Sequence, residues 1–85
     1  MEEKIMAVSI GERVEKAPGV QEVLTDNGCI IKTRLGLHDD VGQSCANNGL
    51  LLLHIQGETE EVNQLHSNLK NIDGVGVNMM DVNRC

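Results

Sequence analysis

The sequence contains no Phe, Tyr or Trp. Its core must therefore come from Val, Ile, Leu, Met and Ala, without the large area that each ring side chain would bury. The same absence removes the stacking platforms on which single-strand nucleic-acid binders rely. Basic residues are also few: Lys and Arg total 7 against 13 acidic residues, are scattered singly, and leave a net charge of −6. Without a basic patch there is no electrostatic footprint for a phosphate backbone, so direct DNA or RNA contact by this chain alone is argued against. No run approaches the roughly 20 apolar residues of a membrane span. The opening Met1-Glu2-Glu3-Lys4 lacks the apolar core of a signal peptide, so the expected location is cytoplasmic. The 3 cysteines, Cys29, Cys45 and Cys85, include no C-x-x-C pair, which argues against a zinc ribbon or a dithiol redox motif. In a reducing compartment they are expected as free thiols.

What is present is enough for one small domain over residues 1–85. Lys4 to Ile10 reads as a strand with both alternating rows apolar: Ile5 and Ala7 on one side, Met6, Val8 and Ile10 on the other. A helix follows, clearest from Ala17 to Asn27, with Ala17, Val20, Val23 and Leu24 on one side. Pro18 suits a first helical turn but not an interior, so either the helix begins near Lys16 or an earlier turn is kinked there. Cys29 to His38 reads as a second strand with Cys29, Ile31, Thr33, Leu35 and Leu37 as its inward row. Asp39 to Asn48 is a turn-rich connection, and Leu50 to Gln56 a third strand whose four consecutive leucines call for burial on both faces. Thr59 to Asp73 is the best-defined helix: Thr59 at the cap, Glu60 and Glu61 at the positive end of the dipole, and Val62, Leu65, Leu69 and Ile72 as one stripe. Val75 to Val82 closes the chain as a fourth strand.

This order is the β-α-β-β-α-β unit of an α+β, ferredoxin-like sandwich. Right-handed crossovers give an antiparallel sheet in the order 4-1-3-2 with both helices on one face. The other face is expected to keep Met6, Val8, Leu50 or Leu51, and Met79 or Met80 uncovered, a patch that calls for a partner surface. A homodimer or tetramer, through that face or an edge strand, is the economical expectation, with a separate partner protein also open.

From the end of the second strand into the connection, four side chains supply N, O and S donors: His38, Asp39, Asp40 and Cys45. A cysteine with a histidine favours zinc, nickel or copper over magnesium. The plainer reading of the same residues is a solvated turn, because Asp, Gly, Ser and Asn fill any hairpin connection. His54, on whichever face holds Leu50 and Leu52, either meets another histidine at an interface or is a hydrogen-bonded structural residue. Cys29 is expected as a small buried apolar residue. Neutral and acidic neighbours do nothing to activate Cys45. No Ser-His-Asp set, paired carboxylates or phosphate loop can be read, so catalysis is the least favoured class.

Over roughly residues 4–82, VEKAPGVQEVL leading into the first helix, TRLGL in the second strand and GVGV opening the last strand resemble the small ACT-like regulators of the iron-only hydrogenase system. That group is similar to amino-acid-sensing ACT domains and to the C-terminal domain of the nickel-responsive repressor. The ACT resemblance implies a small effector at a subunit interface near Gly11, Glu12 and Arg13, and Pro18-Gly19-Val20 is similar to the ACT loop. The repressor resemblance implies a metal held by histidines of the second strand and a cysteine just beyond it. Here that strand offers only His38, with Cys45 further on, and Thr33 and Leu35 stand where further histidines would be wanted. No ribbon or helix-turn-helix segment accompanies the domain, so a transcriptional role would require a separate partner. The expectation is a non-enzymatic, homo-oligomeric regulatory module that binds a small ligand or partner at a subunit interface, with no cofactor firmly implied. The alternative is a metal-binding regulator that places a divalent transition metal on His38, Asp39, Cys45 and His54.

Overall fold

A computed structural model describes residues 1–11, 13–37 and 49–84, without the side chains at 13–17 and 37. Four strands and two helices follow in the expected order: β1 (Glu2–Ile10), α1 (Arg13–Asp26), a 3₁₀ turn (Gly28–Ile30), β2 (Ile31–Leu37), β3 (Gly49–Gly57), α2 (Thr59–Lys70) and β4 (Val75–Asp81). The sheet order is β2-β3-β1-β4, the expected 4-1-3-2 read from its other edge. β1 lies between β3 and β4 and is antiparallel to both. Its register runs from Glu2↔Gly57 to Ile10↔Gly49 on one side and from Lys4↔Asp81 to Ile10↔Val75 on the other. The fold is ferredoxin-like.

Both helices lie on one face of this sheet. Met6, Val8 and Ile10 of β1 and Leu53 and Ile55 of β3 meet Val20 and Leu24 of α1 and Val62, Leu65 and Leu69 of α2 in one buried cluster. This corrects the expectation that Met6 and Val8 stay bare: both are 0% exposed. The physical reason is that both rows of β1 are apolar, so period-two alternation fixes that they oppose each other but not which one the helices cover. The open face instead carries Ile5 and Ala7 of β1, Leu50 and Leu52 of β3, and Met80 of β4, by register with one another.

β2 departs from its expected row. Ile31 pairs with Ile55 on the helix side, but the next pair is Thr33↔His54, so a bulge falls between Ile31 and Thr33. The extra residue moves Thr33 and Leu35 to the open face, leaving Leu35 51% exposed. Cys29 sits in the 3₁₀ turn and is exposed rather than buried. α1 starts earlier than its clearest stretch, and Pro18 lies inside it, exposed. A proline there cannot donate to the preceding turn, and the exposed position keeps its ring out of the core.

α2 is N-capped by Glu58 rather than Thr59. Glu61 Oε1 accepts the Glu58 N–H at 3.0 Å, the return contact of a capping box, and Thr59 Oγ1 donates to Glu2. Gly74, at φ 82°, makes the reversal into β4. At Gly57 an added Cβ would lie 2.6 Å from Ile30 Cγ2, so the 3₁₀ turn packs directly on backbone. Leu65 is 0% exposed in the centre of the cluster. Leu65→Ala is expected to cost about 2–5 kcal/mol in a urea titration, with the secondary structure retained below the transition.

Candidate functional site

The β1–α1 turn brings Gly11 against the α2–β4 turn, where the Gly11 N–H donates to the Gly74 carbonyl at 2.8 Å. Arg13 opens α1 without a described side chain, and Glu12 lies outside the described residues. His38, Asp39 and Cys45 of the alternative metal set also lie outside them. His54 is described, on the open face opposite Ile5 and Thr33. Among the described residues no group of three or more His, Cys, Asp or Glu side chains could hold a metal ion.

His54 belongs to a different cluster. Its Nε2 lies 2.5 Å from Glu3 Oε2. Glu3 also accepts from Arg84: Nε at 2.7 Å to Oε1 and a second guanidinium nitrogen at 2.6 Å to Oε2. The fork of the guanidinium matches the carboxylate, which makes this a bidentate pair. The register builds it: Glu3 opposes Gln56, so His54 is its diagonal neighbour on the same face. The Val82 N–H donates to the Glu3 carbonyl at 3.0 Å and carries the chain past β4 to Arg84. The Glu3 side chain is only 12% exposed, against 68% for Arg84. The guanidinium of Arg84, and after it the ring of His54, pull the Glu3 carboxyl down to about 2, and the same contact raises Arg84.

A second ionic group lies across the sheet on the helix side. Lys4 Nζ bonds Asp81 and sits 3.2 Å from Glu2 Oε1. The Asp81 bond, then the Glu2 bond, raises the Lys4 pKa, while the Thr59 hydroxyl, then Lys4, lowers that of Glu2. These charges tie β1, β4 and the start of α2 together at one end.

The described residues also line hollows. One, of about 340 Å³, lies between the end of α1 and the start of α2, lined by Asp26, Asn27, Cys29, Ile30, Glu60, Glu61 and Gln64. Another, of about 130 Å³, lies on the sheet beside Ile5, Ala7, Asn78, Met79 and Met80. The arrangement therefore offers a largely apolar face with an ordered, internally neutralised ionic cluster at one end.

The sequence reading nominated His54 but missed Glu3 and Arg84. Glu3 was available as the first member of the row that continues through Ile5 and Ala7. Arg84, beyond the end of β4, is 81 positions away from it, and only the β1–β4 register brings the two together.

Because the folded-state pKa of Glu3 lies below its ordinary 4.5, its stabilisation is complete above about pH 4.5 and is lost as pH falls towards about 2. Urea titrations at stepped pH should show wild type more stable than Glu3→Gln at neutral pH, with the gap closing through that acid window. A gap that does not change with pH would contradict the assignment.

No protein-family model and no curated protein matches the chain. Solved structures do. The uncharacterized protein TM1266 from Thermotoga maritima is 20% identical, with a TM-score of 0.83 over 96% of this chain and 98% of that one. CPII, a nitrogen regulatory PII-like protein from Thiomonas intermedia K12 bound to ADP, AMP and bicarbonate, is 17% identical, with a TM-score of 0.58 over 99% and 93%. A formyltetrahydrofolate deformylase from Pseudomonas putida KT2440 is 10% identical, with a TM-score of 0.59, and this chain spans only 30% of it. No helix among the described residues is long and apolar enough to cross a membrane. At these identities the likeness establishes a shared ferredoxin-like fold, with regulatory and catalytic proteins alike among those that carry it.

Proposed function

We propose that this protein is a non-enzymatic regulatory module that binds a small ligand and works as a homo-oligomer. The observation that carries the reading is the open sheet face: among the described residues no helix covers it, and it presents Ile5, Leu35, Leu52 and Met80 beside the Glu3–Arg84–His54 cluster. Such a face offers binding area rather than reacting groups. Its imidazole is already bonded to a carboxylate, and Cys29, the exposed thiol among the described residues, lies at the end of α1 on the helix side. Gly11, Glu12 and Arg13 are the proposed ligand contact, beginning where the Gly11 N–H donates to the Gly74 carbonyl. Support for a regulatory role comes from the sequence resemblance and from the fold shared with a PII-like protein. A place in the iron-only hydrogenase system is the finest form of this reading, and it rests on the sequence resemblance alone.

Thermal denaturation with amino acids, adenine nucleotides, bicarbonate and divalent metals added singly tests it. One compound class should raise the melting temperature in proportion to the logarithm of its concentration, by linkage to the folded state. Arg13→Ala should abolish that shift while leaving the unliganded melting temperature unchanged. A flat response to every class would identify a structural subunit instead, and a shift with a transition metal alone would favour the metal-binding alternative.

A further inference from the structure

We infer that the open sheet face docks a second copy of this chain, with Leu35 of each copy seated in the hollow between Ile5 and Met80 of the other. The inference rests on the homo-oligomeric reading above and specifies its geometry.

The argument begins with one row of residues across the sheet. Leu35 pairs with Leu52, Leu52 with Ala7 and Ala7 with Asn78, so these four side chains run from edge to edge on the open face. The row is uneven. At the β2 edge Leu35 stands 51% exposed. At the β1–β4 side the short side chain of Ala7 leaves the hollow of about 130 Å³ flanked by Ile5 and Met80. The hollow is open to the face and mostly apolar in lining, so an apolar side chain from a facing surface can lie in it.

Symmetry then selects the occupant. The sheet order is β2-β3-β1-β4, so the midline of the face runs between β3 and β1. A two-fold axis along that midline, in the plane between two facing sheets, places β2 of each copy over β4 of the other while keeping the row aligned. Both Leu35 side chains then meet hollows at once, the self-complementary pattern of an isologous interface. Facing sheets about 10 Å apart leave room for this interdigitation.

Charge points the same way. Two copies at net charge −6 repel, and uncompensated charge at the contact would add to that repulsion. On this face the described carboxylate is Glu3, and Arg84 neutralises it through a bidentate pair at the rim. The other described carboxylates lie on the helices, in the turns or on the helix side of the sheet. The centre of the face is apolar and its end is polar, the usual anatomy of a protein–protein contact. Four strands about 4.8 Å apart and about seven residues long give a plane of roughly 450 Å² per copy, about 900 Å² for the pair, which is below the range of stable interfaces and within that of weak, reversible ones. The dimer should accordingly dissociate on dilution.

Sedimentation equilibrium from micromolar to near-millimolar protein tests the inference, with circular dichroism confirming that each variant folds. Wild type should be dimeric. Leu35→Asp places a charge in an apolar hollow of the other copy and should lower the association constant by about tenfold or more. Adding Asn78→Lys should restore association, because position 35 of one copy then faces the new lysine of the other. Within one copy these positions lie on opposite sheet edges, about 14 Å apart, too far to pair. A dimeric wild type with association unchanged in Leu35→Asp would overturn this face and leave the homo-oligomeric reading standing. Failure of the double variant to recover would overturn the Leu35-to-hollow register. A monomeric wild type throughout would overturn both readings.

Discussion

The pairing of β1 with β3, held without interruption from Glu2↔Gly57 to Ile10↔Gly49, is the constraint from which the rest of the structure follows. It decides that Met6, Val8, Leu53 and Ile55 share the helix side and that Ile5, Ala7, Leu52 and His54 share the other. A slip of one residue would exchange the two sets, sending His54 into the core and Leu53 to the open side. The four consecutive leucines of β3 would tolerate that exchange by themselves. The ends of the strand do not: Gly57 must sit where Ile30 packs on bare backbone, and Glu3 must reach both His54 and Arg84.

Composition explains why, among the described residues, the helices cover one face only. Aliphatic side chains make a thin core, and the two helices supply only enough apolar surface for one side of a four-stranded sheet. Valine, leucine and isoleucine therefore do two jobs: the inner row holds the monomer together, and the outer row is left to meet something else. The ionic groups occupy the margin between these roles. Lys4 with Asp81 and Glu2 closes one end on the helix side, while Glu3 with Arg84 and His54 closes the same end on the open side. Their alternation along β1, residue by residue, is the strand's pleat expressed in charge.

The fold shared with a nucleotide-bound PII-like protein and with part of a deformylase sets a scaffold, and scaffolds of this kind carry unrelated activities. The local features of this chain are the backbone bond from Gly11 to Gly74 and a neutralised rim beside an apolar row.

The order of strands and helices, the stripe of α2 and the strand order of the sheet were all legible in the amino-acid sequence, because each depends on local periodicity and on the handedness of crossovers. His54 was legible as a side chain on the face of Leu50 and Leu52, again from alternation alone. The tertiary structure decided three things that alternation cannot. It chose the Met6–Val8 row over the Ile5–Ala7 row for burial, a choice between two apolar sets that only the helices make. It introduced the bulge that turned Leu35 outward, where an even count along β2 had pointed it inward. It joined Glu3 to Arg84 across almost the whole length of the chain, a contact set by long-range register and so invisible to any reading of neighbours.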